Sequence, residues 1–157
     1  MAPSLLFDIS QIDMAKVQMD GPAIEQVNPH RGLMRQLDAV VCIDLTILQA
    51  VAYKDVSQDE FWVPGHIPGR PLLPGVLIIE AAAQLASIMT LQYFGDLNFL
   101  GFVACDAVKF RGQVCPGDRL ILLGQGRQIK RRRSICDVQG LVKGNLVFEA
   151  TITGMPI

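Results

Sequence analysis

The sequence predicts an α+β domain in which an antiparallel sheet wraps around one long helix, and three observations lead there. Val76 to Phe94 contains neither proline nor glycine and is apolar nearly all round, the pattern of a helix buried inside a protein. Segments rich in Val, Ile, Leu and Phe lie on both sides of it, broken by turn residues at strand spacing. The chain has 157 residues, half of them hydrophobic and 18% charged, which suits one core of ordinary size. A sheet with an apolar face needs a cover, and one long helix is available.

In chain order, Met1 to Asp20 mixes Leu5, Leu6, Phe7, Ile9 and Ile12 with Asp and Gln. It is expected to pack on the body or on a partner subunit, so residues 1–22 form an extension and 23–157 the domain. Ala23 to Val27 allows one or two helical turns after Gly21-Pro22, and Asn28 to Gly32 is a turn. His30 lies in that turn with no acid or cysteine nearby in sequence, and is expected to be exposed or hydrogen-bonded without a catalytic role. Asp38 to Lys54 forms two strands with a break near Asp44 to Thr46. Phe61 and Trp62 are expected as wall or core. After Gly95, a helix-ending residue, come strands over Phe99–Phe110 (bent near Asp106), Arg119–Lys130, Ser134–Val142 and Leu146–Thr153. Lys143-Gly144-Asn145 marks a hairpin between the last two. In the last strand, Phe148, Ala150 and Ile152 alternate with Glu149, Thr151 and Thr153, predicting one wet face.

Net charge is −1, which does not favour a nucleic-acid partner. Cys42, Cys105, Cys115 and Cys136 show no CxxC or zinc spacing, so reduced thiols in a cytoplasmic protein and no metal are expected. Glu80 and Gln84 interrupt the longest apolar run, which argues against a membrane span.

Those two residues carry the chemistry. They stand four apart on one helix face, and a carboxylate in a buried helix must be paired, hydrogen-bonded or protonated. Upstream, His66 opens a loop braced by Pro68, Gly69, Pro71 and Pro74, and the helix starts at Gly75. A core carboxylate satisfied by Gln84, beside an unrelated loop histidine, accounts for part of this. The combination also supplies what proton transfer next to a polarised carbonyl needs.

The stretch GHIPGRPLLPGVLIIEAAAQ (Gly65 to Gln84) resembles the signature of the 3-hydroxyacyl-[acyl-carrier-protein] dehydratases of type II fatty-acid synthesis, G-H-F-P-G-x-P followed by P-G-V-L-x-x-E-A-x-A-Q. NPHRG (Asn28 to Gly32) resembles the family's L-P-H-R-x-P, and KFRGQVCPGDRL (Lys109 to Leu120) its R-F-K-R-P-V-x-P-G-D. The likeness runs roughly from Ala23 to Thr153. It implies the hotdog fold, catalysis by His66 and Glu80, and a thioester carbonyl held by the Gly75 N–H. It also implies Gln84 supporting the acid, no cofactor, and an acyl carrier protein as partner. The acid would be kept protonated, or share a proton, through burial. In such families histidine and acid come from different protomers of a homodimer, and trimers of dimers occur. Glu80 rather than Asp goes with dehydration without double-bond migration. This chain differs at Ile67, where the family has Phe, at Gly32 to Leu37, and at Gly112-Gln113.

The run Lys130 to Arg133, with Arg127, reads either as a solvated strand end or as a patch for the acidic carrier. The second reading takes Arg131, Arg132 and Arg133 with Lys109 and Arg111. A hotdog thioesterase or enoyl hydratase, and an acyl-binding protein without activity, are the other readings of the whole.

Overall fold

The structure is a computed structural model, and it describes residues 3–157. A short helix α1 (Gly21–Val27) and a 3-10 turn (Gly32–Met34) precede strands β1 (Ala39–Asp44) and β2 (Gln49–Asp55). The long helix α2 (Gly75–Phe94) follows, then β3 (Leu100–Phe110), β4 (Arg119–Lys130), β5 (Arg133–Val142) and β6 (Asn145–Pro156). The predicted α+β class and the helix-in-sheet arrangement both hold.

The six strands form one antiparallel sheet in the order β1-β2-β4-β5-β6-β3. The crossover through α2 carries β3 to the edge opposite β1, where it pairs only with β6. Its register slips between Asp106 and Lys109, the site of the expected bend, and Ala107 has φ +52°. Lys143 and Gly144 both have positive φ in the β5–β6 turn, as a tight hairpin requires.

Helix α2 starts after Pro74 and stops at Gly95, whose φ of +73° gives the left-handed cap. From Ala81 to Leu91 nearly every residue is buried, against Val40, Ala52, Leu122, Phe148 and Ile152 of the sheet. By length and composition α2 could cross a bilayer, but it is the core of this domain.

The opposite face of the sheet is less wet than the alternation in β6 suggested. Val41, Val51, Leu123 and Leu141 form a second cluster there, covered by Leu6, Phe7, Ile9, Ile12 and Met14. Gln139 fixes that cover, accepting from the Leu6 N–H and donating to the Ser4 carbonyl. Trp62 is core, with its indole N–H on Glu60, which also pairs with the buried Lys54; Phe61 is exposed.

Candidate active site

His66 sits in the loop entering α2 and is exposed. Its Nδ1 lies 2.7 Å from the Leu72 carbonyl oxygen. A carbonyl only accepts, so Nδ1 carries a hydrogen; in the neutral ring this leaves the lone pair on Nε2, the form a general base needs. The loop holds the ring with unusual backbone: Ile67 has φ +61° and Gly69 φ +81°. A β-branched residue at positive φ is strained by roughly 1–3 kcal/mol, which the surrounding prolines and the His66–Leu72 contact must hold in place.

His66 lines an open groove of about 320 Å³ with Leu72, Gly75, Ile78, Phe110, Gly112 and Gln113. The Leu77 and Ile78 N–H groups donate to the Pro74 carbonyl, and those of Gly75 and Val76 are left without partners among the described residues. A Cβ on Gly75 would lie 2.8 Å from the Phe110 ring, so the glycine lets an aromatic wall close on the helix start. The substitutions at Ile67 and Gly112-Gln113 fall on this same groove or its rim.

Glu80 points elsewhere. It is five residues beyond Gly75, about 140° around the helix at ~100° per residue. It lines a separate cavity of about 40 Å³ with His30, Ala83, Ser87, Phe102 and Ile152. Within one chain, His66 and Glu80 therefore line separate cavities and do not meet.

The acid's setting differs from the expectation in two respects. Its side chain is a quarter exposed rather than sealed. Its carboxyl is held below the ordinary glutamate value, chiefly by the hydrogen bond from His30 and also by Gln84, against the upward push of burial. Burial alone thus does not keep it protonated in the single chain. Sequence reasoning missed His30, whose Nε2 lies 3.2 Å from Glu80 Oε1. Fifty residues separate the two, and the only signal was the match of Asn28 to Gly32 to a second family motif.

Gln84 is buried and fully engaged. Its Nε2 donates to the Met34 carbonyl at 2.6 Å and to Glu80 Oε1 at 2.9 Å, while its Oε1 accepts from the Gln36 N–H at 2.8 Å. Asn28 Nδ2 donates to its backbone carbonyl. The Gly32 to Leu37 stretch, where this chain departs from the family pattern, is thereby tied to the acid's helix.

The basic residues fall into two groups. Lys109 and Arg111 stand either side of Phe110 in β3, but Lys109 lines a separate cavity with Leu6, Asp137, Gln139 and Glu149 on the opposite face of the sheet, and Arg111 pairs with Glu149 at 2.5 Å. Arg70 joins them, bonded to Gln113. Arg131, Arg132 and Arg133 stand at the β4–β5 turn near the other end of α2, where Arg131 pairs with Asp96. At 1.5 Å per residue, the length of α2, about 30 Å, separates the groups. Among the described residues no cluster of His, Cys, Asp and Glu could hold a metal ion.

An antiparallel sheet wrapped on one long apolar helix places the chain in the class of hotdog-fold proteins. The chain belongs to the FabA-like domain family, whose profile matches residues 28–151. It is 36% identical over 144 residues to a 3-hydroxyacyl-[acyl-carrier-protein] dehydratase FabZ of Anaeromyxobacter, covering 87% of this chain and 89% of that one. It is 37% identical over 142 residues to a bifunctional LpxC/FabZ enzyme of Chlorobaculum tepidum, covering 88% of this chain and 30% of that one. Among solved structures, the dehydratase heterocomplex ApeI:P of Xenorhabdus doucetiae superposes with a TM-score of 0.73 at 16% identity, covering 85% of this chain and 90% of that one; this speaks to the fold.

Proposed function

We propose that the chain is a 3-hydroxyacyl-[acyl-carrier-protein] dehydratase of type II fatty-acid synthesis, acting in the cytoplasm on carrier-bound thioesters. The observation that carries the reading is the His66 ring, anchored through Nδ1 with Nε2 free, beside an unpartnered N–H at the helix start.

The substrate's C2 proton is weakly acidic and hydroxide leaves poorly. Nε2 of His66 takes the C2 proton. The Gly75 N–H, with the α2 dipole behind it, binds the thioester oxygen as it gains negative charge. Glu80, protonated when substrate excludes water from its cavity, gives its hydrogen to the departing 3-hydroxyl. A thioesterase would need water activated at the thioester carbon, and base and acid on either side of a C2–C3 bond suit elimination better.

Because the two halves occupy separate cavities in one chain, the complete site is proposed to form between two copies, with His66 of one facing Glu80 of the other. The unpaired edge of β3, with Phe102, Val103 and Phe110 about half exposed, favours that contact. Such dimers could associate further as trimers of dimers. The carrier is proposed to dock over Lys109, Arg111 and Arg70, of which Arg70 reaches the His66 groove through Gln113; Arg131 to Arg133 are the second candidate.

The test is complementation. His66→Ala and Glu80→Gln chains, each inactive alone in an absorbance assay of enoyl formation, are mixed and allowed to exchange. Half the dimers are then mixed, each with one intact site of two, so activity returns to about a quarter of wild type. No recovery despite proven exchange would overturn the shared site. Free thiol from wild type would favour a thioesterase, and acyl binding without turnover a silent binder.

A further inference from the structure

Glu80 has one hydrogen bond and one close polar contact, and both fall on the same oxygen. Gln84 Nε2 donates to Oε1 at 2.9 Å, and His30 Nε2 lies 3.2 Å from that oxygen. Oε2 has no partner among the described residues. An oxygen that accepts from one N–H group and faces a second ring nitrogen is a poor place for an acid's own hydrogen. We propose that His30 is a positioning residue: as a neutral imidazole with its hydrogen on Nε2, it joins Gln84 in occupying Oε1 and confines the Glu80 proton to Oε2, the oxygen free to meet the 3-hydroxyl. This rests on the dehydratase reading of Glu80.

The ring form this role needs is favoured by the other nitrogen. Nδ1 is buried with no hydrogen-bond partner among the described residues. An imidazolium would bury an unpaired N–H there, whereas the neutral ring leaves only a lone pair. The surroundings add no counter-charge beyond Glu80. Arg31 donates to the His30 carbonyl at 2.8 Å and so brings a like charge nearby. The walls from α2 (Ala83, Ser87), β3 (Leu100, Phe102) and β6 (Ile152, Thr153) carry no ionisable group. Met34 and Gln36 from the 3-10 side are uncharged.

The elimination then balances. The C2–H bond breaks towards His66 Nε2, its electron pair becomes the second C2–C3 bond, and the C3–O bond breaks with its pair on oxygen. That oxygen takes the hydrogen from Oε2 and leaves as water. His66 ends as imidazolium and Glu80 as carboxylate. Loss of one proton to solvent and uptake of one at Oε2 resets both, with His30 unchanged.

The experiment compares His30→Ala and His30→Gln in the full chain. Glu80 titration is followed by carboxyl infrared difference spectra, assigned with Glu80→Gln, alongside kcat and KM. Removing the donor should move the Glu80 titration upward; compared at a pH where Glu80 is protonated in both proteins, kcat should fall about two-fold or more, because the proton then spreads over both oxygens, with KM little changed. Gln, which restores an N–H, should return the titration and most of kcat. An unmoved titration in His30→Ala, or a Gln variant as impaired as Ala, overturns the proposal. If His30→Ala does not fold, a Gln variant that fails to hold the low titration overturns it equally. Absence of enoyl product from wild type would instead sink the dehydratase reading, and the titration would still report on the His30–Glu80 contact.

Discussion

Replacing Gln84 with Leu tests how the acid is held. The side chain is 1% exposed, so the swap keeps approximate volume inside the core and removes three hydrogen bonds. Met34 is half exposed, and its carbonyl can turn to water. The Gln36 N–H cannot, because Gln36 is 2% exposed and that bond is buried. A buried donor left unpaired costs about 1–3 kcal/mol, and the lost bond to Met34 about 1 more. The sum of roughly 2–4 kcal/mol, at about 2–4 °C per kcal/mol for a chain of this size, puts the drop in Tm near 5–15 °C. Urea unfolding should show a lower midpoint with the same slope, and hydrogen exchange should find the Gln36 amide newly unprotected. A Tm within about 2 °C of wild type, with that amide still protected, would refute the view that Gln84 pins the 3-10 segment to α2.

Glu80→Gln should separate stability from chemistry: the amide oxygen still accepts from Gln84 and His30, so Tm should fall only a few degrees while turnover drops by about 10²–10⁴. A sharp loss of stability with activity retained would make the acid structural. Glu80 titrates below its ordinary 4.5 in the folded chain, through His30 first, and Glu149 is also low, burial pushing it up but Arg111 pulling it further down. A lowered folded value gives stability that is full above about pH 4.5 and fades as pH falls through the folded values, so an acid titration of Tm should decline there, less steeply in Glu80→Gln. Burial pushes the Cys136 thiol up to about 12, so at pH 8 it should resist alkylation until urea unfolds the chain; rapid labelling of native protein would contradict that. Charge reversal at Lys109 and Arg70 should raise KM for carrier-linked substrate and spare short pantetheine thioesters, with Arg131 to Arg133 reversal having the smaller effect. The reverse ranking would move docking to the other end of α2.

The fold was legible because its main elements follow local rules. The proline-glycine loop, the uninterrupted apolar run and Gly95 set α2 to within one residue, and turn residues set the strands. Partner choice is not local. Nothing in Leu100 to Phe110 says that it crosses to pair with β6 rather than lie beside β2. The site divides the same way: His66 and Gly75 share a loop and a helix start and could be read together, as could Glu80 and Gln84 on one helix face. His30 reaches Glu80 only because the 3-10 segment folds back onto α2 through Gln36 and Gln84. The extent of Glu80's burial could not be read from apolar neighbours in sequence either, since the cavity in front of it is made by β3 and β6.

Helix geometry explains why such a site would be shared. A helix start can present its free N–H groups in only one direction, and a carboxyl five residues on faces about 140° away. One chain therefore places the Gly75 N–H, proposed to bind the carbonyl, and Glu80 on different sides of the same helix. Moving the acid to the side of Gly75 would place it at residue 78 or 79, against the negative charge developing on the thioester oxygen and under the groove that the Phe110 wall occupies. Two copies meeting along β3, as proposed, would avoid that conflict, each supplying the side the other lacks. The arrangement then carries a consequence independent of sequence identity: dilution below the dimer dissociation constant should abolish turnover while each chain keeps its internal contacts, including Gln84 to Gln36. Full activity in monomers would remove the reason for placing Glu80 on that face.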